Sequence, residues 1–534
     1  MYPDIETFDY SKYVGIQRVI QICAMKKLLL LPLLILLANC ATNPVTGKRE
    51  LSLISEESEI SIGTEQYLPS QQSQGGIYKV DPELTAYVNE VGQRVAAQSD
   101  RQLPYEFVVL NNGVPNAWAL PGGKIAINRG LLTKLENEAE LAAVLGHEVV
   151  HSAAKHGAKS MQRNAIIQGA VMAAAIGASA SDSEYGNYIV GGAELGAKLI
   201  VTKYGRNAEL ESDFYGTNYM AQAGYDPEGA ITLQEKFVAF SEGRETSWVD
   251  GLFASHPPSE ERVLKNAETA AGLKTTLTSD LDLGTERFQQ KLAYIRSKED
   301  AYQIFDQARS LAANNKLDIA LRTVNNAIGK ESKDARFFGL RGDIYLEKRQ
   351  YEEALAAYNK ALELDDAYYE YYLGRGLVSA RQGNRAAAKD DLEKSNALLP
   401  TAVAMNELGQ LSLAAGNTQQ AKSYFQNALN AGGQVGASAR EAYTRLDMPS
   451  NPAAYFKTEP SIVNGKVAVL VANTSPISVQ SLSLQVAALI NGEEVYRTIT
   501  TPAIAAGQQI RISTGITASE ALQDLRVSVT NPRL

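Results

Sequence analysis

Three of the four histidines in this 534-residue chain fall between Leu145 and His156, in the stretch LGHEVVHSAAKH. On a helix each residue turns about 100°, so His147 and His151 sit about 40° apart and share one face. Both imidazoles can then reach a single ion. Glu148 lies beside them, placed to contact a water on that ion without ligating it. Two nitrogen donors with positions left open suit zinc, which lowers the pKa of a bound water to about 7, and a neighbouring carboxylate can take the proton. With four histidines in the chain, such a pair followed by Glu is expected by chance on the order of 0.002 times. His156 is about 140° round the same helix from His151, which predicts a capping or packing role rather than a ligand.

Zinc needs a third protein ligand, and the segment YGRNAELESDFYG (204–216) offers one. Glu209 and Asp213 are four apart and share a helical face, while Glu211 points away. Glu209 is placed to ligate, and Asp213 to accept a ring N–H from a ligand histidine, fixing its tautomer. Taken alone, a solvated acidic helix has the same pattern.

Together, HEVVH and ELESD resemble the gluzincin metallopeptidases, specifically metallopeptidase family 48, the family of HtpX and the CAAX prenyl proteases. The segments NAWALPGG, GYDPEGA and the HPPSEER run that contains His256 and Arg262 match further signatures. Ser212 stands where the family usually has Ala. The resemblance covers roughly residues 51–269. It implies a hydrolase binding one zinc ion per chain through His147, His151 and Glu209, with Glu148 as general base and Asp213 in support. It also implies that His256 and Arg262 belong to the catalytic apparatus, His256 either stabilising an oxyanion or occupying the fourth zinc position and holding the enzyme latent. By the same resemblance the strand carrying Asn116, Ala117, Trp118 and Ala119 is a sheet edge beside the zinc cleft. An extended peptide would pair there through its backbone.

The elements that must position these residues are legible as patterns. YEFVVLNN (105–112) reads as a strand, and NAWALPGGKIAINRGLL as strand, Pro-Gly-Gly turn, strand and helix start. The apolar stretch 165–180 reads as a buried or lid helix. Farther on, the chain repeats. Aligning Ala320, Ala354, Ala388 and Ala421 gives spacings of 34, 34 and 33. A small residue lies twelve before each (Ala308, Gly342, Gly376, Gly409) and a larger apolar one four after (Val324, Tyr358, Leu392, Phe425). This resembles the tetratricopeptide repeat, in which small residues let paired helices approach and large ones fill the gap. After residue 460 the apolar runs alternate, with Asn491-Gly492 as a hairpin signal.

The N-terminus adds an address. MKKLLLLPLLILLANC (25–40) has two lysines before a short apolar core, the form of a secretory signal. Cys40 sits as the lipidated residue of a lipobox would, although Asn39 departs from the usual Gly, Ala or Ser. Residues 1–24 read as an over-extended start. The other cysteine, Cys23, lies within them, so no disulfide framework is expected. The net charge of −9 and absence of a basic tract argue against nucleic-acid binding.

The expected architecture is multidomain and mainly α: an α+β zincin-like peptidase, a tetratricopeptide α-solenoid and a small C-terminal β-sandwich. The expected divisions are an extension (1–24), signal peptide (25–39), tether (40–54), peptidase (55–272), linker (273–297), repeats (298–445), linker (446–460) and sandwich (461–534). The combination of peptidase, repeats and secretory signal is similar to periplasmic members of the family that assist β-barrel assembly. It implies a zinc endopeptidase of the periplasm, anchored to the outer membrane through Cys40, that degrades or helps mature misassembled envelope proteins. The repeats would recruit those proteins or the barrel-assembly machinery. Two rivals stand beside this reading: a repeat-based chaperone or scaffold with a latent metal site, and a processing peptidase unrelated to barrel assembly.

Overall fold

A computed structural model describes residues 40–163, 203–243, 251–277, 281–490, 492–518 and 522–534. The expected extension, signal peptide and 165–180 helix lie outside the described residues. The chain divides into two compact units, one spanning the residues up to 307 with 329–333, the other 308–328 with 334–534. The described residues are mainly helical. None of the described helices is long and apolar enough to cross a membrane.

The first unit is built around one buried helix, α4 (Glu138–Ala153), every residue of which is buried. Asn137 starts it by accepting the amide of Glu140 at 2.8 Å. Before it in the chain come α1 (Glu56–Ser73), α2 (Pro82–Ala96) and the single turn α3 (Arg129–Leu132). Against it lie a three-stranded sheet of β3 (Glu106–Leu110), β5 (Lys124–Asn128) and β4 (Ala117–Leu120), together with α2, α5 (Arg206–Gln222) and α6 (Glu228–Glu242). The sheet order is β3-β5-β4, with β5 parallel to β3 and antiparallel to β4. The expected strand–turn–strand over NAWALPGGKIAIN is therefore β4 and β5, and β4, like β3, is an edge among the described strands. The turn between them needs Gly122 and Gly123 at φ +78° and +88°, a region other residues seldom adopt.

Two expected spacers are structured. Residues 273–297, expected as a linker, end in helix α9 (Thr285–Ser297), whose Phe288, Leu292 and Ile295 are fully buried. Arg287 binds Glu138 at 3.0 Å and Arg296 donates to the Leu135 carbonyl at 2.6 Å, so this helix docks onto the start of α4. Its apolar residues at i, i+4 and i+7 are a core stripe, hidden at sequence level among many charges. The expected tether holds a short hairpin of β1 (Cys40–Thr42) and β2 (Arg49–Leu51), with Asn43 donating to the Ala154 carbonyl at 3.4 Å.

The second unit carries antiparallel helix pairs and then a two-sheet sandwich. The repeat logic reappears as contact: a Cβ on Gly342 would lie 2.6 Å from Tyr358, one on Gly376 2.9 Å from Leu392, and one on Gly409 2.6 Å from Phe425. The sandwich sheets have the order β10-β7-β6 and β11-β8-β9, where β6 is Phe456–Val463, β7 Lys466–Asn473, β8 Ser481–Ile490, β9 Glu493–Thr500, β10 Gln509–Thr517 and β11 Leu522–Arg533. Its core is the alternating inner set Val467, Val469, Val471 with Leu482, Leu484, Val486. Met448 and Phe456 belong to that core as well, so the expected linker 446–460 supplies part of the sandwich.

Candidate metal centre

Helices α4 and α5 meet backbone to backbone. A Cβ added to Gly216 would lie 2.8 Å from the His147 nitrogen, and one on Gly146 would lie 2.9 Å from the Gly216 oxygen. This close approach sets the HEVVH face of α4 against the ELESD face of α5. A third contribution comes from a short turn, α7 (Leu252–Ser255), anchored by the Leu252 amide on the Pro115 carbonyl at 2.9 Å. It delivers His256. The helix that follows, α8 (Glu260–Thr276), brings Arg262.

His147, His151, Glu209 and His256 each present one donor atom, and these atoms lie within 4.8 Å of one another. His147 Nε2 is 2.9 Å from His151 Nε2 and 3.3 Å from His256 Nδ1. The Glu209 oxygens lie 3.2 and 3.3 Å from His256 Nδ1 and 3.5 Å from both Nε2 atoms. Glu148 stands alongside, its Oε1 3.6 Å from His256 Nε2 and its buried Oε2 without a hydrogen-bond partner among the described residues. All of these side chains are buried.

Asp213 joins the centre through its neighbours. It accepts from His147 Nδ1 at 2.9 Å and takes a two-pronged contact from Arg262, Nε to Oδ2 at 2.6 Å and Nη2 to Oδ1 at 2.7 Å. Arg262 Nη1 reaches Glu209 at 3.0 Å and the Pro257 carbonyl at 3.1 Å. The donors of Arg262 are thus used on the two carboxylates and on the loop that carries His256. The expected substrate strand, Asn116 to Ala119, is buried, and Trp118 packs edge-on against Tyr67 of α1 at 6.2 Å.

His156 was expected 140° away from His151, and the structure places it otherwise. Lys155 adopts φ +60°, which breaks α4 before the helical path resumes, and the turn swings His156 back. Its Nδ1 comes to 2.9 Å from His151 Nδ1, and its Nε2 to 3.1 Å from Glu211. Tyr204 stacks on His151, ring centroids 3.9 Å apart. A left-handed lysine carries no sequence mark, and Tyr204 no motif, so neither contact was readable beforehand.

The electrostatics ask for a cation. Burial disfavours a charged His147, yet Asp213 and Glu209 outweigh it and push the ring up to about 9. Burial also acts against ionised Glu209, but His256, His147 and His151 hold it well below the usual carboxylate range. Burial dominates at His151, lowering it well below its usual value, and at Glu148, raising its carboxyl. Carboxylates that stay ionised while a histidine holds a proton between them favour positive charge at that point. A metal ion would take the place of the His147 Nε2 proton while the Nδ1 proton stays directed at Asp213, and the set of imidazole nitrogens plus one carboxylate fits zinc.

The pattern of Peptidase family M48 matches residues 82–270, which span the whole centre, and that of the tetratricopeptide repeat matches 305–369 and 340–395. Metalloprotease LoiP of Escherichia coli (strain K12) is 32% identical over 36% of this chain and 71% of its own length. The beta-barrel assembly-enhancing protease of Escherichia coli O157:H7 is 25% identical over 58% of this chain and 69% of its own. A thermophilic repeat protein of Thermus thermophilus is 20% identical over 35% of this chain and 93% of that one, with a TM-score of 0.25.

Proposed function

This chain belongs to peptidase family M48, is a zinc-dependent metalloendopeptidase, and from that premise we propose that it works in the bacterial cell envelope, cleaving unfolded or misassembled outer-membrane proteins. The observation that carries the site reading is the convergence of His147 Nε2, His151 Nε2 and a Glu209 carboxylate beside a buried Glu148 oxygen that has no partner among the described residues. His147, His151 and Glu209 are the ligands in this reading. When bound, zinc supplies Lewis acidity, acidifying water and polarising a peptide carbonyl. Glu148 accepts the proton of the attacking water and returns it to the leaving amine. Asp213 holds the His147 tautomer, and Arg262 holds Asp213 and Glu209 in place. In this reading an extended substrate would pair with β4, an edge among the described strands, at Asn116 to Ala119.

His256 has two roles open to it, and its position favours one. Its Nδ1 lies among the other donors, 3.2 Å from Glu209 and 3.3 Å from His147 Nε2. A fourth donor there keeps the site closed until substrate displaces it. His256→Ala then raises peptidase activity; a fall in activity favours oxyanion stabilisation instead.

The resemblance to the beta-barrel assembly-enhancing protease over 58% of this chain supports the choice of substrate. Tetratricopeptide repeats bind proteins, and here they would present the substrate or contact the barrel-assembly machinery. Export by residues 25–39 and lipidation of Cys40 would put the enzyme on the periplasmic face of the outer membrane. The test is competition between substrates. An unfolded outer-membrane barrel protein should be cleaved faster than the same protein folded in detergent and faster than unfolded cytosolic proteins. Equal rates on all three reject the envelope assignment. Palmitate labelling that persists in Cys40→Ala rejects the anchor.

A further inference from the structure

We infer that His156 is a positioning residue for the metal centre, acting through His151 in a hydrogen-bonded relay that ends on Glu211. The inference rests on the assignment of His151 as a ligand. His151 Nε2 lies in the donor cluster, 2.9 Å from His147 Nε2 and 3.5 Å from Glu209. To offer a lone pair there, the neutral ring must carry its proton on Nδ1.

That nitrogen is 2.9 Å from His156 Nδ1. Two imidazole nitrogens at this distance hold one proton between them. If His151 Nδ1 donates, His156 Nδ1 accepts, and the neutral His156 ring must keep its proton on Nε2. Nε2 faces Glu211 Oε1 at 3.1 Å, an oxygen that accepts. Every donor in the chain from His151 to Glu211 therefore meets an acceptor, and the direction of the chain is the one that frees His151 Nε2 for the metal. With both rings neutral, the reverse direction would leave the His156 Nε2 lone pair facing the Glu211 lone pairs. Ser212 Oγ, at a longer 3.4 Å from His156 Nδ1, can at most share the one lone pair that His151 already uses.

The arrangement is fixed by its surroundings. His156 and His151 are buried, with ring planes crossed at 72° so that nitrogen meets nitrogen edge-on. Tyr204 covers a face of His151, leaving the ring little freedom except the bond to His156. The left-handed Lys155 is what brings His156 within reach, since a continuous helix would carry it to another face. His147 is held by the matching device on the other side, Asp213 backed by Arg262. Each ligand histidine thus has its own chain of support, one ending on a cation and one on a carboxylate.

The test is zinc affinity, read by competition with a chromophoric chelator, alongside the thermal midpoint of the metal-free protein. His156→Phe keeps the ring's shape and removes both nitrogens. It should weaken zinc binding about 10–100-fold while the metal-free midpoint stays near the parent's. His156→Asn, which can accept from His151 Nδ1, should recover most of that loss. Glu211→Ala, at a partly exposed position, should weaken zinc several-fold and provides the readout if His156→Phe does not fold. Parent-like affinity in both His156→Phe and Glu211→Ala overturns the inference, as does a loss that Asn does not relieve or that follows a matching fall in metal-free stability. The underlying assignment fails separately: a parent that binds no zinc, or a His151→Ala variant that keeps it, removes the ligand reading itself.

Discussion

Gly216→Ala is the smallest change that should misalign the centre. The added methyl would sit 2.8 Å from the His147 backbone nitrogen and 2.9 Å from the Gly146 carbonyl carbon, against an ordinary contact of at least 3.4 Å. The obstacle is main chain, so no side chain can rotate away. Helix α5 must retreat from α4 by about 0.6 Å, carrying Glu209 and Asp213 away from His147 and His151. A site of this kind tolerates displacements of about 0.5 Å, and 1 Å can cost on the order of 100-fold in rate. We expect kcat/KM to fall about 10–100-fold, zinc affinity to weaken in parallel, and stability to drop by about 1–3 kcal/mol from overpacking. Gly272→Ala is the control, because nothing lies within 4 Å of its added methyl. It should raise stability by up to about 1 kcal/mol and leave zinc binding alone. The assay is peptide cleavage with chelator competition on both variants. Parent-like activity and zinc affinity in Gly216→Ala would refute the claim that the helix–helix contact sets the ligand geometry.

Arg262→Met should be far more damaging than a lone arginine replacement, since it strips the cation from two buried carboxylates, Asp213 and Glu209. Breaking such a pair costs about 3–5 kcal/mol, and Arg262→Lys should recover only part because it cannot grip Asp213 with two prongs; denaturant unfolding that shows no loss contradicts the contact. In the repeats, Gly409→Leu should destabilise by about 1–3 kcal/mol through collision with Phe425, 2.6 Å from the first added carbon, while leaving zinc content unchanged. An unaltered melting profile would mean that the small-against-large register does not hold the repeats.

The parts of the fold that repeat or alternate were readable from the sequence. The 34-residue spacing marked Gly342, Gly376 and Gly409 as small positions and Tyr358, Leu392 and Phe425 as filling ones, and the structure sets each of these glycines against the large residue sixteen positions on. The alternating runs became two sheets. Helix α9 was read as a linker because its three buried apolar residues stand among charged ones whose partners, Glu138 and the Leu135 carbonyl, are distant in sequence. At the site, the helical spacing of His147, His151, Glu209 and Asp213 was sufficient to put each pair on one face. It could not show that the two faces meet, which depends on Gly146 and Gly216 touching across 70 positions. His156 was read as a packing residue and not a ligand, and it lies buried outside the donor group; its contact with His151 was hidden because the angular argument assumed one unbroken helix, and Lys155 is left-handed. Arg262 was legible as a site residue, yet its work on Asp213 rather than on substrate needed coordinates.

The central claim is that Glu148 is the base of a zinc peptidase and not part of a closed structural site. The most direct measurement pairs metal content with cleavage for the parent and Glu148→Gln, on the same preparation and the same unfolded substrate. Glu148→Gln keeps the shape of the side chain and is not a ligand in this account. The parent should hold one zinc per chain and cleave; Glu148→Gln should hold the same zinc and lose cleavage by at least about 100-fold. A Glu148→Gln protein that retains zinc and cleaves at the parent rate would contradict the account.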